Sequence, residues 1–193
     1  MKITTFIASP RKKGNSTIIA DHFIKGVSKW ENEQKVVRLA DLNINPCRGC
    51  GYCDKNLTCI IKDDDMKKMY PLVENSDVIT FITPVYFASM PAQFKAFIDR
   101  FQPYYAAKYL FKQPVIPKEN NKKVVLFVVS GYERNSFYEN IKGIIDIFCL
   151  NMNLEFYNGF YYGKIDHPGD VSKRPETLTE IEHFGNQLKE LSI

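Results

Sequence analysis

Four of the five cysteines fall inside residues 47–59, spaced Cys47-x2-Cys50-x2-Cys53-x5-Cys59. Spacing this compact lets one loop wrap a cubane [4Fe-4S] cluster through four thiolates. Four thiolates can also hold a structural zinc tetrahedrally, and the same residues can pack in a loop with no metal at all. A disulfide framework is not expected, because the chain is long and begins without a secretory pattern. The fifth cysteine, Cys149, falls on the apolar face of a helical segment and is expected to be core packing.

A second constellation lies near the start. Ser9-Pro10-Arg11-Lys12-Lys13-Gly14-Asn15-Ser16-Thr17 joins a β-rich run to an amphipathic segment. Hydroxyls, a glycine, an arginine and the free N–H groups of a helix start make an anion site suited to phosphate. The bland alternative is that Asn15 or Ser16 only caps the helix. Neither G-x-G-x-x-G nor G-x-x-x-x-G-K-[ST] occurs here, so the dinucleotide and nucleoside-triphosphate fingerprints are missing. A third segment, Thr83-Pro84-Val85-Tyr86-Phe87, sets two adjacent aromatics at the end of an apolar run. A planar ligand lying against them explains their position, as does capping of a sheet edge. Ser130 and Gly131 end another apolar run and are placed to bring backbone groups to the same ligand.

The elements between these segments decide whether they can meet. Apolar, β-rich runs at 2–8, 35–40, 77–87, 122–131 and 154–163 alternate with helical patterns at 15–30, 66–75, 90–101, 137–152 and 175–191. Residues 41–62 read as a polar loop and 102–121 as an irregular connection. Asp63, Asp64 and Asp65 precede a helix and suit its positive end, and Pro71 either sits in its first turn or kinks it. Asn158-Gly159 interrupts the fifth strand. Strict β–α alternation implies a parallel sheet with helices on both faces. Five strands fit the flavodoxin-like order 2-1-3-4-5, in a three-layer α/β sandwich formed by one domain over residues 1–193. In such a sheet ligands bind outside the carboxyl ends of the strands, where the order reverses. That rule selects the loops 9–17, 84–90 and 130–136.

Composition narrows the function classes. The 193 residues are 45% apolar and 25% charged, ordinary for a globular protein. Lys and Arg exceed Asp and Glu by 26 − 22 = 4, dispersed along the chain. A dispersed excess does not form the clustered basic face of a nucleic-acid binder, and no run is long enough to span a bilayer. A cytoplasmic protein with small anionic ligands is the expectation.

Taken in order, Ser9-Pro10-Arg11 with Gly14-Asn15-Ser16-Thr17, Pro46-Cys47 through Cys59, Asp64-Asp65-Met66, and Thr83-Pro84-Val85-Tyr86-Phe87 through Asp99-Arg100 form a recognisable series. The series resembles the NAD(P)H-dependent FMN reductases of the flavodoxin-like superfamily, in the branch that includes the iron–sulfur flavoproteins. It covers residues 1–101 closely and the rest by element order. The resemblance implies that Ser9, Arg11, Asn15, Ser16 and Thr17 hold the FMN phosphate, and that Pro84, Val85, Tyr86 and Phe87 border the isoalloxazine. It also implies NAD(P)H as cosubstrate, a small-molecule electron acceptor, and a homodimer or homotetramer with the flavin near an interface. The aromatic stretch 101–111 suits that contact, or a surface flap, or local packing. The iron–sulfur flavoproteins carry a cysteine pattern within which this spacing falls, while cluster-free relatives keep similar cysteines.

Two activities compete. The first is an oxidoreductase passing reducing equivalents through FMN to a small acceptor. The second is an electron carrier between protein partners, using FMN and a cluster at Cys47, Cys50, Cys53 and Cys59. A flavin-binding sensor without turnover is a third reading. No catalytic acid or base is identified, and His22, His167 and His183 are expected to lie away from the three loops.

Overall fold

The computed structural model describes residues 1–192. Strands β1 (Lys2–Ile7), β2 (Glu33–Arg38), β3 (Val78–Pro84), β4 (Lys123–Val129) and β5 (Glu155–Tyr162) form one parallel sheet in the order β2-β1-β3-β4-β5. This is the expected flavodoxin-like arrangement. β3 and β4 are buried along almost their whole length, as near-continuous β-branched runs require when helices cover both faces. Phe6, Phe81 and Leu126 point into one apolar layer, and Ile7, Ile82 and Phe127 into the other.

The first layer is closed by helices α3 (Met66–Asn75), α4 (Ala92–Asp99) and α6 (Asn135–Met152). The second is closed by α1 (Asn15–Val27) and α7 (Pro175–Gln187). These last two pack unusually close: a Cβ on Gly26 would stand 2.1 Å from the Glu182 carbonyl oxygen. Two short helices, α2 (Cys53–Asn56) and α5 (Gln102–Tyr105), complete the set. No helix among the described residues is long and apolar enough to cross a membrane.

Several local expectations change. The connection after residue 101 is helical, since α5 runs into a π-helical turn at Ala106–Leu110. Tyr104, Ala106 and Ala107 are buried there, in line with the local-packing reading of the aromatic stretch. Pro71 sits in the second turn of α3, so the first-turn placement is excluded. β5 is continuous through Asn158-Gly159. The interruption is a bulge, in which the register steps from Val124–Phe156 to Val125–Asn158 and leaves Tyr157 unpaired. Cys149 is buried as expected, and burial pushes its thiol up to about 12.

Candidate functional site: a strand-end cleft and a cysteine cavity

Three loops leaving interior strands meet at the carboxyl edge of the sheet. They enclose a cleft of about 110 Å³ walled by Ser9, Arg11, Asn15 and Ser16 on one side and by Pro84, Val85 and Tyr86 on the other, with Gly131 below. α1 begins at this cleft without a side-chain cap, and while the Thr17 amide donates to the Gly14 carbonyl at 3.0 Å, the Asn15 and Ser16 amides stay available to an anion. Ser9 and Ser16 are buried beneath it and Arg11 is exposed at the rim. A free helix N-terminus, buried hydroxyls and an arginine fit a phosphate, so these residues suit the phosphate end of FMN.

Other predicted residues take different places. Thr17 is outside the cleft wall, and its Oγ1 accepts a bond from Arg38 Nη1 at 3.2 Å. Arg38, at the end of β2, also donates to the Ser9 carbonyl at 3.4 Å, bracing the turn from behind. Ser130 supports the cleft from below: its Oγ accepts from the Tyr132 amide and its carbonyl from the Ile165 amide. Asn15 has its side chain committed, donating to the His167 carbonyl at 2.9 Å and accepting from the Gly169 and Val171 amides. The segment after β5 therefore belongs to the site. Its Ile165 and Asp166 line the cleft, and the expectation that His167 lies remote is corrected, since its backbone carbonyl accepts from Asn15 in the turn after β1. The strand-end rule, extended to the loop after β5, is the signal that finds them.

Tyr86 and Ser89 close a tight turn through bonds of 2.8 and 3.0 Å. Phe87 and Ala88 at its tip have φ of 48° and 61°, a left-handed pair that costs L-residues about 1–2 kcal/mol each. Asn140 steadies the turn by donating to the Ala88 carbonyl at 3.0 Å. The Phe87 ring stands fully in solvent at the rim, beside the cleft rather than in its wall. A strained turn presenting a bare aromatic ring is suited to cover a planar ligand.

The second site lies beyond β2. Cys47, Cys50, Cys53 and Cys59 all face one cavity of about 390 Å³, closed on the far side by Asp99, Arg100 and Pro103. The loop turns sharply at Gly49 and Gly51, with φ of 61° and 67° that side-chain-bearing residues rarely adopt. All four thiols are free. Burial, then the neighbouring Asp54 carboxylate, pushes the Cys53 thiol up. Among the described residues no three His, Cys, Asp or Glu side chains stand close enough to hold a single ion. Four cysteine thiols are the donor set that a [4Fe-4S] cluster takes, and all four line this one cavity.

Under this cavity lies a buried ion pair. Arg100 is 1% exposed and Asp64 5%, and the guanidinium grips both carboxylate oxygens. Burial alone would raise Asp64, but the Arg100 hydrogen bond and two backbone amides outweigh it and hold the carboxyl below its ordinary range. Asp64 therefore does more than face a helix end. Tyr70 Oη donates to the Arg100 carbonyl at 2.8 Å, and burial pushes that phenol up to about 12.

A sequence model of the NADPH-dependent FMN reductase family matches residues 1–153. The chain belongs to this family. Among the chain's relatives, an iron–sulfur flavoprotein of Methanocaldococcus jannaschii is 28% identical over 99% of this chain and 97% of its own. An iron–sulfur flavoprotein of Archaeoglobus fulgidus is 38% identical across 54% of this chain, and that stretch spans only 47% of the relative. The solved NAD(P)H:quinone oxidoreductase of Methanothermobacter marburgensis superposes with a TM-score of 0.70 at 20% identity, covering 98% of this chain and 97% of that one. At that identity the likeness concerns the fold.

Proposed function

We propose that the protein is an FMN-dependent NAD(P)H oxidoreductase that hands reducing equivalents to a small acceptor. The observation that carries this is the single cleft formed by the turns after β1, β3 and β4, in a chain of the FMN reductase family. Bound FMN supplies the hydride and electron chemistry. The chain's own residues bind and orient it. Arg11, the α1 amides and the Ser9 and Ser16 hydroxyls take the phosphate, with Thr17 and Asn15 fixing the turn that presents them. Pro84, Val85 and Tyr86 offer a wall for the ring, with Phe87 at its rim, while Ser130 and Gly131 set the floor. Exposed Tyr105 and Leu110 offer a contact for a homodimer or homotetramer.

The test is anaerobic titration of the purified protein with FMN, followed by NADH and NADPH in separate cuvettes. One FMN per chain, thermal protection by FMN, and rapid bleaching by either nucleotide are expected. No binding and no protection would end the reading.

The cavity shared by four cysteines favours a second role on the same chain: electron carriage through a [4Fe-4S] cluster at Cys47, Cys50, Cys53 and Cys59, as the names of the iron–sulfur flavoprotein relatives suggest. Flavin bleaching only by a reduced protein donor, with four irons per chain, selects the carrier over the reductase.

A further inference from the structure

The geometry points to Arg100 as the positioning residue of the cysteine cage: it pins both ends of the cysteine loop and sets a permanent positive charge in the cage wall, raising the reduction potential of the cluster. The inference rests on the cluster reading above and adds to it a residue outside the cysteine motif.

Arg100 Nη1 donates to the Asn45 carbonyl at 2.8 Å, two residues before Cys47, and Nη2 donates to the Ile61 carbonyl at 2.9 Å, two residues after Cys59. One side chain thus ties together the points where the cysteine loop begins and ends. Asp64 doubles the tie, because the oxygen that receives Nη1 also accepts from the Asn45 amide at 3.1 Å. The planar fork makes all these bonds at once, which a lysine ammonium cannot reproduce. Arg100 also borders the cavity beside Cys59 and Ile61, with its side chain fully buried behind the wall. Its buried Nε–H has no partner in the protein, and buried donors are rarely left so.

The electrostatic consequence follows from charge balance. A cluster that takes up one electron gains one negative charge, and a cation held nearby in a dry wall stabilises that reduced state. Net charge and hydrogen bonds to sulfur are among the main settings of cluster potential. The Asp64 carboxylate opposes the effect, and both side chains are fully buried, but of the two residues only Arg100 borders the cavity.

The experiment compares wild type, Arg100→Lys and the double variant Arg100→Gln/Asp64→Asn, each full length, FMN-loaded and reconstituted anaerobically with iron and sulfide. Iron per chain, iron loss to a chelator, and the cluster midpoint by EPR-monitored dithionite titration are read. FMN content and circular dichroism report folding. Arg100→Lys keeps the charge balance and loses the clamp, so iron should leave at least about tenfold faster. The double variant removes both charges and should be about tenfold harder to reduce at a fixed poise, which is 59 mV for one electron. Wild type that takes up no iron defeats the cluster reading itself. Wild type that carries the cluster, with iron loss unchanged in the lysine variant or midpoint unchanged in the double variant, overturns the inference and leaves Arg100 as a fold latch.

Discussion

At the strand-end cleft most of the wall leaves strands that are hydrogen-bonded on both sides: β1 lies between β2 and β3, β3 between β1 and β4, and β4 between β3 and β5, while Ile165 and Asp166 follow the edge strand β5. The cysteine loop leaves β2, an edge strand, and returns to the fold through a buried Asp64–Arg100 pair. One site is thus positioned by ladders that the core fixes anyway. The other hangs on a few charged side chains. A site of the first kind draws most of its shape from backbone ladders, whereas a site of the second kind loosens when one partner goes.

The largest effect that could break this contrast is expected at the ion pair. Asp64→Asn leaves a buried guanidinium without its counter-charge and should lower unfolding free energy by about 3–5 kcal/mol at neutral pH in urea titrations. Because the folded carboxyl titrates below its ordinary value, the pair's contribution is complete above the unfolded carboxylate range. It fades as pH falls through the lowered folded value, so wild type and variant should converge only below about pH 4. A gap that stays constant into strong acid would mean the carboxylate is not the source.

A smaller effect belongs to the cleft. Arg11→Ala removes one charged donor from a site that keeps its helix amides and hydroxyls. FMN affinity should fall about tenfold, from a charge-assisted bond of about 1.5–3 kcal/mol partly screened by solvent, with the melting point of flavin-free protein unchanged. Affinity measured by fluorescence titration that does not move removes Arg11 from the phosphate site.

The smallest change in stability is expected at the rim. Phe87 buries nothing in the flavin-free chain, so Phe87→Ala should shift unfolding by no more than about 0.5 kcal/mol. Weaker flavin retention with unaltered stability would sharpen the view that the strained turn serves the ligand. Loss of both would tie the ring to packing instead.

What the sequence made legible follows the same division. The sheet order, the helices and the converging loops could be read because buried parallel strands demand long apolar runs, and their carboxyl ends are ligand sites by geometry. Cysteine spacing was equally plain. The support of the cysteine loop was not, because Asp64 and Arg100 are 36 positions apart and each has an ordinary local explanation, at a helix start and at a helix end. The bulge at Tyr157 was hidden because Asn158-Gly159 reads as a break, and a break and an extra residue look alike in one dimension. Nor could Asn15 reveal its partners: a residue suited to a phosphate turn is equally suited to grip a distant backbone.

That grip reaches beyond the matched family segment. The matched residues end at 153, before β5, yet the amide group of Asn15 fastens the 167–171 backbone to the turn that follows the opening strand. Residues 167–171 are accordingly no appendix to a finished fold. They are the keystone that braces its first turn.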